Sequence, residues 1–280
     1  MTTISAADPR LAPAPDPTPS SPLNRIWSIA KAEIKLLARN RTVMATAILL
    51  GPLTAAFMAW LNVDAAGLPG FSVLVTNLVF SWGAMLALYY NLTSIYVARR
   101  EEGVFKRLLT GEATPGETIA AAAVPSSLVF VAQVVLTAVV VVFFFDAPPF
   151  TNPLLLVLAL AFAVVIFASF AAFSSTFTSS SEAAQYSTLP LLMVFIFFSG
   201  TNFPLNFLPE GVQTFATYTP LNAMGELVTI GMGGFTLDGE SATGFLESFR
   251  AAGFPLAVLL GWTVLAMAIT KQYMRYEPRR

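Results

Sequence analysis

The sequence predicts an all-α membrane protein with six transmembrane helices. Composition, the lengths of the apolar stretches and the placement of the basic residues carry that expectation. Of 280 residues, 56% are hydrophobic and 11% charged, and the mean hydropathy is +0.70. A soluble domain usually carries about 25% charged residues, so a soluble enzyme is excluded. The net charge of −1 implies no nucleic-acid partner. There is no cysteine and no histidine, which removes disulfides, thiolate nucleophiles, histidine triads and almost every zinc site. No metal site is expected.

Crossing roughly 30 Å of hydrocarbon takes about 20 apolar helical residues. Six segments meet that need: 42–62, 71–97, 117–145, 154–178, 184–200 and 252–271. The fourth and fifth form one apolar run interrupted by Ser179-Ser180-Ser181-Glu182, which reads as a tight turn between two spans. With six spans, fourteen of the fifteen basic residues fall on one side and only Arg250 on the other. Both termini are therefore expected in the cytoplasm. Residues 1–22 are rich in Pro, Ser and Ala and read as a disordered cytoplasmic tail. The transmembrane domain is expected over 23–276, and 277–280 form a short cytoplasmic tail.

Two flanking segments have their own pattern. Residues 22–39 place Leu23, Ile26, Trp27, Ala30, Ile34 and Leu37 on one helical stripe, with Arg25, Lys31, Lys35 and Arg39 elsewhere. This is the pattern of a helix lying in the cytoplasmic interface; a soluble helix packed on other cytoplasmic structure is the alternative. The stretch 201–251 is broken by Phe203-Pro204, Leu208-Pro209, Thr219-Pro220 and the Gly231–Gly234 cluster. Its short apolar runs suit re-entrant or interfacial helices near the outer surface.

Between the second and third spans, Arg99-Arg100-Glu101-Glu102-Gly103-Val104-Phe105-Lys106-Arg107-Leu108-Leu109 mixes both charge signs with apolar residues at helical spacing. Such a segment could present a short amphipathic helix to a soluble partner, or serve only as a basic loop. After the fifth span come Ser199-Gly200-Thr201-Asn202-Phe203-Pro204, then Leu208-Pro209, then Thr219-Pro220-Leu221-Asn222. In this order around six spans, these motifs resemble the permease subunits of ABC-2 type ATP-binding cassette transporters, mostly exporters and including the daunorubicin-resistance type.

That resemblance implies that 99–111 is a coupling helix docking on a separate ATPase, with Glu101, Glu102, Gly103, Phe105, Lys106, Arg107 and Leu108 at the contact. It implies that 22–39 is an elbow helix and that 201–235 forms a re-entrant pair capping the outer side. The implied partners are an ABC ATPase in two copies, a second permease copy or a related chain, and the lipid bilayer of a bacterial plasma membrane. No cofactor is expected in this chain; ATP and magnesium would belong to the ATPase. None of the four lysines follows a glycine and no G-x-x-x-x-G-K-[ST] occurs, so no P-loop is encoded and the chain is not expected to be an enzyme.

Polar residues at depth are candidates for a transport pathway: Asn77, Asn91 and Gln133, together with Glu226 in the outer segment. The alternative for the amides is helix–helix hydrogen bonding. Glu226 reads either as a guard of the exit or as a solvated interface charge. The span interiors hold no ionisable Asp, Glu, Lys, Arg or His. An ion-coupled transporter normally needs one there, so the energy source is expected outside the chain. A non-transporting scaffold or sensor-associated protein is the other alternative.

Overall fold

A computed structural model describes residues 21–39, 70–110, 114–144, 150–203 and 205–274, with isolated positions between 45 and 61. The first expected span, 42–62, lies largely outside the described residues, as do 1–20 and 275–280. The described residues are helical throughout, apart from turns and one isolated bridge between Phe235 and Ser241.

In chain order the helices are α1 (Pro22–Arg39), α2 (Phe71–Glu101), α3 (Val104–Leu109), α4 (Pro115–Phe144) and α5 (Pro153–Phe177). They continue as α6 (Ala184–Phe197), α7 (Glu210–Thr217), α8 (Pro220–Gly233), α9 (Phe245–Ala251) and α10 (Gly253–Tyr273). Among the described residues, α2, α4, α5 and α10 are long and apolar enough to cross a membrane. The fifth expected span is a shorter apolar helix, α6.

Local chemistry explains where these helices begin. Thr114 and Glu117 form a reciprocal cap at α4: Glu117 N donates to Thr114 Oγ1 at 3.3 Å and Thr114 N to Glu117 Oε2 at 2.8 Å. Pro115 follows the cap, where a missing N–H costs nothing. Asn152 accepts from Leu154 N at 3.2 Å to open α5, again ahead of a proline. Within α2, Ala84–Tyr90 forms a π-helical turn that shifts the register midway along the helix.

The core is built on α5 and α8. Ala159, Ala163 and Ala171 make a fully buried small-residue stripe on α5, which lets neighbouring backbones approach closely. Twelve of the fourteen residues of α8 are buried, and the helix packs on α2, α5 and α10. Trp262 Nε1 donates to Tyr218 O at 2.7 Å, so the turn between α7 and α8 lies about two and a half turns along α10 from Gly253. The chain thus turns round inside the bundle before climbing to Gly234. Leu128, Leu136, Val157, Leu260 and Val264 face outward as an apolar surface of the kind a bilayer covers.

Candidate functional site

The basic segments gather at one end of the bundle. There α1 lies against α4 and is tied down by two ion pairs. Arg25 reaches Glu117 in a bidentate pair, at 2.7 and 3.1 Å. Arg99 reaches Glu33 at 2.6 Å and Glu102 at 3.0 Å. The face of α1 turned to the body is Arg25, Ile26, Ile29, Ala30, Glu33 and Ile34. The expected stripe divides: Ile26, Ala30 and Ile34 meet the body, Leu23 and Trp27 face away from it, and the Leu37 side chain lies outside the described residues. Leu23 and Trp27 are exposed, with Lys31 Nζ 5.4 Å from the Trp27 ring centroid, whereas Arg25 turns inward because a carboxylate awaits it.

Gly103 adopts a left-handed conformation (φ 68°) between α2 and α3, a backbone state that glycine enters without strain. The sharp bend turns Phe105 inward, where it is 1% exposed and packs on Tyr96 at 6.2 Å between centroids. The resemblance puts both Phe105 and Leu108 at the ATPase contact. Phe105 instead fixes α3 to its own chain, and Leu108 is half-buried. The surface left outward is polar: Glu101, Glu102, Lys106 and Arg107. Glu101 also accepts from Ser181 N at 3.3 Å, linking this segment to the turn between α5 and α6.

Arg100 has a role the sequence pattern does not single out. It is 1% exposed and donates to Ser175 O and Thr178 O at the C-terminal end of α5. Those carbonyls lack helical donors and carry the negative end of the helix dipole, so a guanidinium satisfies both needs. One residue thereby joins the end of α2 to the end of α5.

The four pathway candidates divide between two settings. Asn91 Nδ2 donates to Ser126 Oγ at 3.1 Å, and Gln133 packs against Gly83, where a Cβ would stand 2.7 Å from its Oε1. Both contacts join α2 to α4. Asn77 and Glu226 belong to the far end. Asn77 Nδ2 donates to Thr229 Oγ1 at 2.8 Å. The two Glu226 carboxylate oxygens share the Leu237 N–H at 3.2 and 3.0 Å. Burial pushes the Glu226 carboxyl up to about 7; the Leu237 N–H opposes that rise and the negative Asp238 adds to it.

The chain matches the family described as ABC-2 type transporter over residues 24–233. No curated relative is matched. The matched region runs from α1 through α8 and includes the basic-end platform and the buried α8. This chain belongs to the ABC-2 type transporter membrane family and is a multi-pass permease component of an ABC transporter.

Proposed function

We propose that this permease exports a hydrophobic, amphipathic or lipid-linked substrate, driven by ATP hydrolysed in a separate ATPase subunit. ATP and magnesium would be held by that partner. Two permease copies, or this chain with a related one, would pair with two ATPases in a bacterial plasma membrane. The basic asymmetry favours cytoplasmic termini, and with that orientation the family resemblance supports reading 201–235 as an outer re-entrant cap. Asn77, Asn91, Gln133 and Glu226 remain the candidate pathway residues.

The observation that carries this reading is the seating of α3. Phe105 holds the helix from beneath, Arg99 ties its base to α1, and Arg100 ties it to α5. An ATPase pressing on Glu101, Glu102, Lys106 and Arg107 would move α2 and α5 together rather than bend a loop. Coupling through 99–111 would then rest on a charged contact face, with Gly103, Phe105 and Leu108 shaping the helix that presents it.

The test is co-purification of an ABC ATPase with the wild-type chain and with the double charge reversal Lys106→Glu, Arg107→Glu. Recovery of the ATPase should fall, more steeply at low salt than at high, with the permease still folded. Equal recovery and equal substrate-stimulated hydrolysis would reduce the segment to a basic topological anchor.

A further inference from the structure

A groove of about 970 Å³ runs between α4, α5 and α10. On α4 its lining extends from Pro115 to Val131, a rise of about 24 Å along the helix. That is most of the roughly 30 Å occupied by the hydrocarbon of a bilayer. Leu128, Val131, Val164 and Met267 give it apolar walls, and the small side chains of Ala120, Ala123 and Ala168 leave it open. Its hydroxyl protons are already spent on backbone carbonyls. Ser127 Oγ donates to Ala123 O at 2.9 Å, Ser169 Oγ to Val165 O at 2.7 Å and Thr270 Oγ1 to Ser169 O at 2.8 Å. Nothing along the walls is left seeking an acceptor.

One end of the groove differs. Pro115 opens α4 and Lys271 lies in the last turn of α10, so both stand at the basic end of the bundle. Lys271 is exposed and makes no ion pair among the described residues. No Asp or Glu is among the described residues of the lining, and Glu117, next to Gly116 in the chain, is neutralised by Arg25. A long apolar groove with one free cation at its end fits a molecule with an apolar tail and an anionic head. The volume is at the upper end of the roughly 300–1,000 Å³ of ligand sites, and three helices form the walls, which suits two hydrocarbon chains better than one. The 42–62 stretch is the other occupant to weigh. Its described positions Leu49, Leu53, Phe57 and Trp60 are themselves exposed, and none of them lines the groove.

We propose that the groove between α4, α5 and α10 binds an anionic phospholipid from the leaflet at the basic end, with its acyl chains along the groove and its phosphate at Lys271. The site does not depend on the exporter reading.

Native mass spectrometry of the full-length chain, released from detergent micelles containing phosphatidylglycerol or phosphatidylcholine, reads lipid retention. The wild-type chain should hold phosphatidylglycerol at least about fivefold more tightly than phosphatidylcholine, the contribution of one lysine near a membrane surface. Lys271→Ala should erase that preference and Lys271→Arg should keep it. Lys31→Ala, an equal loss of charge on the exposed face of α1 and outside the groove, should leave it unchanged. Ala120→Trp should weaken retention of both lipids by filling the groove; Ala120 is exposed, so the change spares the core. Equal retention of the two lipids by the wild-type chain, a preference that survives Lys271→Ala, or Ala120→Trp without effect would each overturn the proposal. So would a disulfide formed within one chain by the pair Leu53→Cys and Leu128→Cys, which would assign the groove to the 42–62 stretch. A disulfide-linked dimer of the Leu128→Cys chain would assign it to a second copy and overturn the proposal equally.

Discussion

At the basic end, long charged side chains reach across the fold: Arg25 to Glu117, Arg99 to Glu33, Arg100 to the carbonyls ending α5. At the far end the joints are made of missing side chains. Gly231 lies so close to α5 that a Cβ would stand 2.9 Å from Asn152 O, and Gly234, with φ 70°, meets Thr151. Charge secures the first region and close backbone approach the second. The difference teaches where each is vulnerable: the basic end to loss of charge, the far end to added volume.

The largest expected effect breaks the charged side of that contrast. Arg100→Met keeps most of the buried volume but orphans Ser175 O and Thr178 O. It should destabilise the chain by about 3 kcal/mol, from two hydrogen bonds to a buried charged donor. Thermal unfolding of the purified chain reads this, and a melting temperature equal to wild type would show the cap to be dispensable.

Next comes the volume test. Gly231→Ala should cost about 2 kcal/mol, since the methyl must displace backbone as well as Leu155. An alanine tolerated there would mean that α8 is free to shift, and the contrast would fail at its far end. Thr114→Ala removes the hydroxyl half of the α4 cap and should cost about 1 kcal/mol, measured in the same way.

A pH titration sharpens the comparison within the far end. The Glu226 carboxyl is pushed up from the ordinary 4.5 to about 7, so the folded state holds a proton that the unfolded state releases. The stability this contributes is full below pH 4.5 and is lost as pH rises toward about 7. The melting temperature should therefore fall across that window, and Glu226→Gln should flatten this part of the profile. A wild-type profile that instead rises with pH would place the carboxylate in a charge-stabilising setting. The smallest effect belongs to Lys106→Ala, an exposed change expected to alter stability by less than about 0.5 kcal/mol while weakening ATPase recovery.

Much of this architecture is legible in composition and period. The apolar stretches at 71–97, 117–145, 154–178 and 252–271 correspond to α2, α4, α5 and α10, because a helix in hydrocarbon must be long and uncharged whatever it packs against. Amphipathic spacing announces α1 as a helix, yet the face it docks follows from Glu117 and Glu33, whose partners lie 92 and 66 residues away along the chain. The 99–109 segment reads as a charged helix, while the inward turn of Phe105 depends on the left-handed Gly103 and a space beside Tyr96. Lys271 stands out as a base at the edge of the last span. Ala120, Ala123 and Ala168, which leave open the groove it lines, are small residues with no pattern of their own.

Taken by itself, the sequence determined that the chain is helical and membrane-borne, and how its charges separate along the chain. Those properties are sums over local segments: hydropathy and length decide whether a helix can lie in lipid, and counting charges needs no knowledge of neighbours. Only the tertiary structure decided that Arg100 is buried as a helix cap, that Phe105 faces inward, and that α8 turns round within the bundle. It also decided that Ala120, Ala168 and Lys271 line one groove. Each of these depends on which distant residue supplies the partner or leaves the gap, and burial acquires its energetic meaning only when both sides of a contact are in place.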